Sequence, residues 1–190
     1  MVAYTETVIR IRQGEAVSED IRAAVAEALA AAGLPGFRDA TSPARPKWRA
    51  SFSFRGELHG EFGYVHLYVP ADAERVQVNC SAPAPALDPL PAEQFHQEME
   101  RASASRAPGS AGWEEALWEA EATGANVAGW GATISPYMGM QHRMVLAKVS
   151  MPLADLSPGS LALAVRLGLR LARGARDSLA AAREASQAGQ

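Results

Sequence analysis

Few side chains in this 190-residue chain stand where their types and spacing could support chemistry. Glu93 and His96, three apart on an expected helix, form a Glu-x-x-His pair that could hold a metal ion. Bundle-type dimetal sites need two such pairs and further carboxylates, and no second pair follows, so a solvated helix face is the plainer reading. His59 and His66 flank an expected turn and could meet across a hairpin, but no third ligand accompanies them. Cys80 follows Val76 and Val78 on one face of a strand and reads as a small buried hydrophobe, since no neighbour in sequence would lower its pKa.

The specific catalytic motifs are missing. Neither Lys47 nor Lys148 follows a Gly-rich turn, so there is no phosphate-binding loop of the Walker type. Gly129-Trp130-Gly131 begins like a dinucleotide fingerprint, but its third glycine and the helix it should open do not follow. Gly109-Ser110-Ala111-Gly112 is one residue short of a nucleophile elbow. These absences point to a non-enzyme without a cofactor or metal.

Two sets of residues suggest binding instead. Arg166, Arg170, Arg173 and Arg176 recur every three or four positions along the last expected helix, opposed by only Asp177 and Glu184. Such a stripe could dock an acidic segment or a phosphate backbone, or it is a solvated face whose arginine stems cover apolar surface. The second set is aromatic: Phe62, Tyr64, Tyr68, Trp113, Trp118 and Trp130 exceed what one face of a small sheet under two helices needs. Aromatic side chains are enriched at interface hot spots, and a homodimer burying the second sheet face or the helical insert would account for the group together.

The elements that must position these residues follow from periodicity. Ser18 reads as an N-cap, Ile21, Val25, Leu29 and Ala32 form one apolar stripe, and Gly33 with Pro35 stops the chain, which predicts a helix over 18–32. A loop over 39–47 follows, and then Trp48, Ala50, Phe52 and Phe54 alternate with polar residues as a strand. Gly56 to Gly60 reads as a turn, 61–69 as a strand with both faces apolar or amphipathic, and 75–80 as a third strand. A short N-terminal strand over 5–12 is a further expectation.

Four prolines between Ser81 and Pro91 predict an extended connector. Helices over 92–105 and 113–122 form an insert, and strands over 127–135 and 142–151 a hairpin. Ser157 and Pro158 start a final helix over 158–185. Its first half is apolar nearly all round, which implies burial on more than one side, and Gly168 within it implies close contact with another element. The expected fold class is α+β: an antiparallel five-stranded sheet in α-β-β-β-α-β-β-α order with helices on one face. One domain over 1–190 is expected, with 1–17 and 186–190 as flexible ends and 81–126 as connector and insert.

A net charge of −3 argues against a general electrostatic attraction for nucleic acid, and the lone Cys80 excludes an intramolecular disulfide framework. No secretory signal or membrane-length apolar run occurs, so a cytoplasmic protein is expected.

The passage RMVLAKVSMPLADL (143–156) running into SPGSLALAVRLGLRLA (157–172) resembles the close of YbjN-like domains, a strand, Pro-Leu-x-Asp-Leu and an apolar helix. With the amphipathic first helix and the aromatic meander over 48–80, the chain resembles the YbjN-like family and the class I type III secretion chaperones in architecture. The resemblance implies a bacterial homodimer without cofactor that binds partner proteins in a chaperone-like or regulatory manner, and it carries over no catalytic residue.

Three functional expectations result. The first is a cytoplasmic, dimeric, protein-binding adaptor whose contact residues include the six aromatics and Arg166, Arg170 and Arg173. The second is a small-molecule-binding domain or enzyme with a pocket between sheet and helices, which would need polar groups converging near His66, Tyr64 and His142. The third is a nucleic-acid accessory protein using the arginine stripe.

Overall fold

Helix α1 (Ser18–Ala31) begins the part of the chain that the structure, a computed structural model, describes: residues 18–42, 47–58, 60–104, 127, 129–138 and 142–188. The expected strand over 5–12 and helix over 113–122 lie outside these residues. The stripe of α1 is buried as its spacing dictates, with Ile21, Val25 and Leu29 under 5% exposed. Gly33 takes φ +66, and Leu34 N–H reaches back to the Leu29 carbonyl at 3.2 Å, closing the helix in a left-handed cap.

Six antiparallel strands follow, in the spatial order β1-β2-β3-β4-β6-β5. They are β1 (Arg38–Asp39), β2 (Trp48–Leu58), β3 (Glu61–Pro70), β4 (Arg75–Pro83), β5 (Gly131–Met138) and β6 (Arg143–Pro152). Helix α2 (Ala92–Ala104) stands between β4 and β5, and α3 (Pro158–Ala188) closes the chain. The α+β class and the meander of β2, β3 and β4 agree with the sequence, but the expected five strands become six.

The added strand is β1, two exposed residues without alternation that pair with Phe52 and Ser53. Beyond it Thr41 continues the edge, its Oγ1 accepting the Ser51 N–H at 2.9 Å. Strand β2 also runs through the expected turn. Gly56 sits opposite Gly63 and Leu58 opposite Glu61, which leaves only positions 59–60 to reverse the chain. Strand β4 extends into the expected connector, because Ser81, Ala82 and Pro83 find ladder partners in Leu146, Val145 and Met144. Strand β5 starts four residues later than expected and passes through Pro136, which an edge strand tolerates.

The described helices lie on one face of this sheet. Val65, Leu67, Val76, Val78, Cys80, Ala147 and Val149 are buried in one cluster with Leu161, Val165 and Leu169 of α3, Ile21 and Val25 of α1, and Phe95 and Met99 of α2. The apolar half of α3 is accordingly buried over most of its circumference, with Leu161, Leu163, Val165, Leu167, Leu169 and Leu171 all buried and only Arg166 and Arg170 exposed between them. Its start is capped as expected, with Ser157 Oγ accepting the Ser160 N–H at 3.2 Å. Gly168 is the closest approach of helix to sheet: a Cβ there would stand 2.6 Å from Cys80 Sγ, so only glycine fits.

Candidate functional site

Strand alternation sends every second side chain of β2, β3, β4 and β6 to the face away from the helices. On that face one ladder row reads Arg38, Ser53, His66, Asn79, Lys148 and Thr133, one residue from each of the six strands. The adjacent row reads Arg55, Tyr64, Ser81, Leu146 and Ser135. Both rows are polar or amphipathic at nearly every position.

Arg38, Ser53, His66 and Asn79 of the first row and Arg55, Tyr64, Ser81 and Leu146 of the second line a half-open hollow of about 1110 Å³. Arg38 and Arg55 stand at one end, while Tyr137, His142 and Met144 close the other. Among the described residues that line it there is no Asp or Glu. Asn79 Oδ1 is buried in its floor without a hydrogen-bond partner among the described residues. An acceptor so placed is costly unless something supplies a donor.

His66 sits half-buried at the centre of the floor, its Nε2 2.9 Å from Ser51 Oγ. Burial disfavours the imidazolium and holds its pKa below the ordinary histidine value. Tyr68 stacks on it and Trp48 meets it edge-on, their ring centroids 5.1 and 5.2 Å from the His66 ring. Tyr68 is fixed in turn by a hydrogen bond from its hydroxyl to Gln77 Oε1 at 2.6 Å. At the hollow's other end His142 Nδ1 lies 2.7 Å from Asp88 Oδ2, and the Arg143 N–H donates to Asp88 Oδ1 at 2.7 Å. Desolvation pulls the Asp88 carboxyl upward, but the Arg143 amide, the His142 hydrogen bond and both charges outweigh it and hold the group below its usual range.

The sequence-singled residues divide among several places. Tyr64 lines the hollow with Arg55 above its ring, 5.2 Å from the centroid. Phe62, 44% exposed, packs edge-on against Tyr64 and borders a second, smaller hollow of about 450 Å³ with Pro83, Ala84, Leu87 and Arg176. Trp130 lies with the core instead, in contact with both the main cluster and the pair Val127 and Leu163. Trp113 and Trp118 are outside the described residues.

The arginine stripe is divided too. Arg166 and Arg170 are exposed, whereas Arg173 Nη2 donates to the Leu58 carbonyl at 2.7 Å and Arg176 Nε meets Asp177 at 2.7 Å. Arg183, further along, donates to the Ala86 carbonyl. Arg173 of the stripe and Arg183 beyond it therefore tie α3 to the sheet and to the turn at Ala86.

Cys80 is buried against α3, its Sγ 3.6 Å from the Val165 carbonyl, and desolvation pushes its thiol pKa far up. His96 bonds within its own helix, to the Ala92 carbonyl at 2.8 Å, and Glu93 is exposed beside it. His59, its supposed partner in the hairpin, lies outside the described residues. Among the described residues no three His, Cys, Asp or Glu side chains converge to hold a metal ion, and no described helix is long and apolar enough to cross a membrane.

The small-molecule expectation required polar groups converging near His66, Tyr64 and His142, and all three line the larger hollow. It sited that pocket between sheet and helices, where buried side chains fill the space; the hollow opens on the opposite face. Arg38, Ser53, Asn79 and Ser81 were not singled out. Their only signal was a polar residue at every second strand position, which does not reveal which strands lie side by side. No protein-family model matches the chain, and no curated protein matches it.

Proposed function

We propose that the protein is a non-catalytic binding module, a chaperone-like or regulatory adaptor of secretion-chaperone-like fold that works as a homodimer and receives partner polypeptides. The observation that carries this reading is the hollow of about 1110 Å³ on the sheet face turned away from the described helices, floored by half-buried aromatics. A face of this kind offers stacking surfaces and scattered polar groups, which suits an extended segment recognised by its side chains. Phe62 and Tyr137, the large hydrophobics most exposed among the described residues, supply apolar contact area outside the core for a second copy.

The test is an array of 15-residue peptides from unstructured proteins, probed with the purified chain and with a Tyr64→Ala/His66→Ala variant of unchanged circular dichroism. Binding that the variant loses supports the adaptor; an array on which nothing binds, or binding indifferent to the variant, rejects it. Light scattering should give twice the 20.1 kDa chain mass, and a monomer at micromolar concentration removes the homodimer from the proposal.

A second reading, a small-molecule-binding domain, is favoured by Asn79 Oδ1, a buried acceptor awaiting a donor in a hollow that His66, Tyr64 and His142 share. It predicts that a metabolite-sized ligand raises the melting temperature while the peptide array stays blank.

A further inference from the structure

We infer that the segment received by this hollow is acidic, about seven residues long, and laid across the strands with apolar side chains between its carboxylates. This inference rests on the adaptor reading and deepens it.

The first support is charge. Arg38 and Arg55 stand exposed at one end of the hollow, Lys148 continues the central row toward the other edge, and no acidic residue is found among its described lining. The chain as a whole carries −3, so this local excess of cations runs against the global balance. The other arginines near this face are already committed. Arg75 donates to Ser150 Oγ at 2.7 Å and to the Gly129 carbonyl at 2.7 Å, and Arg49 pairs with Glu74 at 3.0 Å.

The second support is length. The row from Arg38 to Thr133 crosses all six strands. Five inter-strand steps of about 4.8 Å make roughly 24 Å, which about seven residues of extended chain at about 3.3 Å each would span.

The third is the kind of atom left waiting. Asn79 Oδ1 lies mid-row and lacks a donor among the described residues. An extended polypeptide presents a backbone N–H at every residue, whereas a phosphodiester backbone presents none. Three cations, Arg38, Lys148 and an Arg55 held over the Tyr64 and Phe62 rings, also suit a segment with two or three carboxylates better than a nucleic acid with a charge on every residue. Tyr64, Leu146 and Met144 supply the apolar floor for the intervening side chains.

The experiment is panning of a random heptapeptide library against the purified chain, followed by titration of the most enriched peptide carrying a fluorescein label. The expected result is enrichment of Asp and Glu, an affinity that weakens several-fold between about 50 and 500 mM salt, and a loss of about tenfold or more in Arg38→Glu/Arg55→Glu. Both arginines are exposed, so the variant should keep its circular dichroism; Lys148→Glu is the second variant should it not. Enrichment of apolar peptides without charge bias overturns the acidic assignment and leaves the adaptor reading standing. No enrichment at all overturns both. Tighter binding of a ten-residue oligothymidylate than of any peptide overturns the inference in favour of nucleic acid.

Discussion

Along one ladder row of the sheet, Asp39 is followed by Phe52, Leu67, Val78, Val149 and Ala132; one residue along each strand the row reads Arg38, Ser53, His66, Asn79, Lys148 and Thr133. The two rows share their backbones and hydrogen bonds and differ only in the side to which their side chains point. Past the edge residue Asp39, the first row is buried throughout beneath α1, α2 and α3, and there volume decides what fits. The second stays half-open, and there polarity and ring contacts decide. A single sheet can thus hold the fold with one face and leave the other half-open.

Three substitutions would break or sharpen this contrast. The largest effect belongs to the helix-covered face. Leu67→Ala empties a fully buried site at its centre and should cost about 2–5 kcal/mol, while Thr133→Ala on the open face should stay within about 0.5 kcal/mol. Urea denaturation of both variants reads the difference, and comparable losses would mean that the open face is also part of the core.

Next comes Gly168→Ala, whose new methyl group must displace Cys80 Sγ. Overpacking of this kind should cost about 1–3 kcal/mol, and Cys80→Ala in the same chain should recover part of it. Additive losses in the double variant would show that the helix does not approach the sheet as described.

The smallest effect is a pH slope from the open face. The unfolded chain protonates His66 near its ordinary value of about 6.5, but the folded chain resists until lower pH. Between those values the unfolded state holds more protons, so stability should fall as pH drops below about 6.5. His66→Gln should flatten the slope between pH 7 and 5. The depressed carboxyls of Asp39 and Asp88 add a further loss below about pH 4, which that variant leaves in place. An unchanged slope in His66→Gln would place the imidazole in open solvent.

Much of the covered face was legible without coordinates, because burial imposes a pattern on neighbours in sequence. The alternation from Ala50 to Phe54, the stripe of α1, the apolar half of α3 and the tight spot at Gly168 found their places. A bulge between Trp48 and Ala50, however, turns Trp48, expected on the same face, to the open side against His66 and Tyr68. Strand β1 was not legible: two exposed residues carry no period, and they are a strand only because β2 lies beside them. The start of β5 was misread because Val127 looks like strand core, yet it packs on Leu163 of α3 before the strand begins.

From the chain alone came the α+β class, the meander, the stop of α1 at Gly33 and the capped start of α3, all of which depend on residues close in sequence. The hollow depended on register. Successive members of the series Arg38, His66, Asn79 and Lys148 are 13 to 69 positions apart, and only the alignment of the strands sets them in one line. Hydrogen-bonded ladders convert sequence distance into a fixed lateral spacing, and that conversion happens only when the sheet forms.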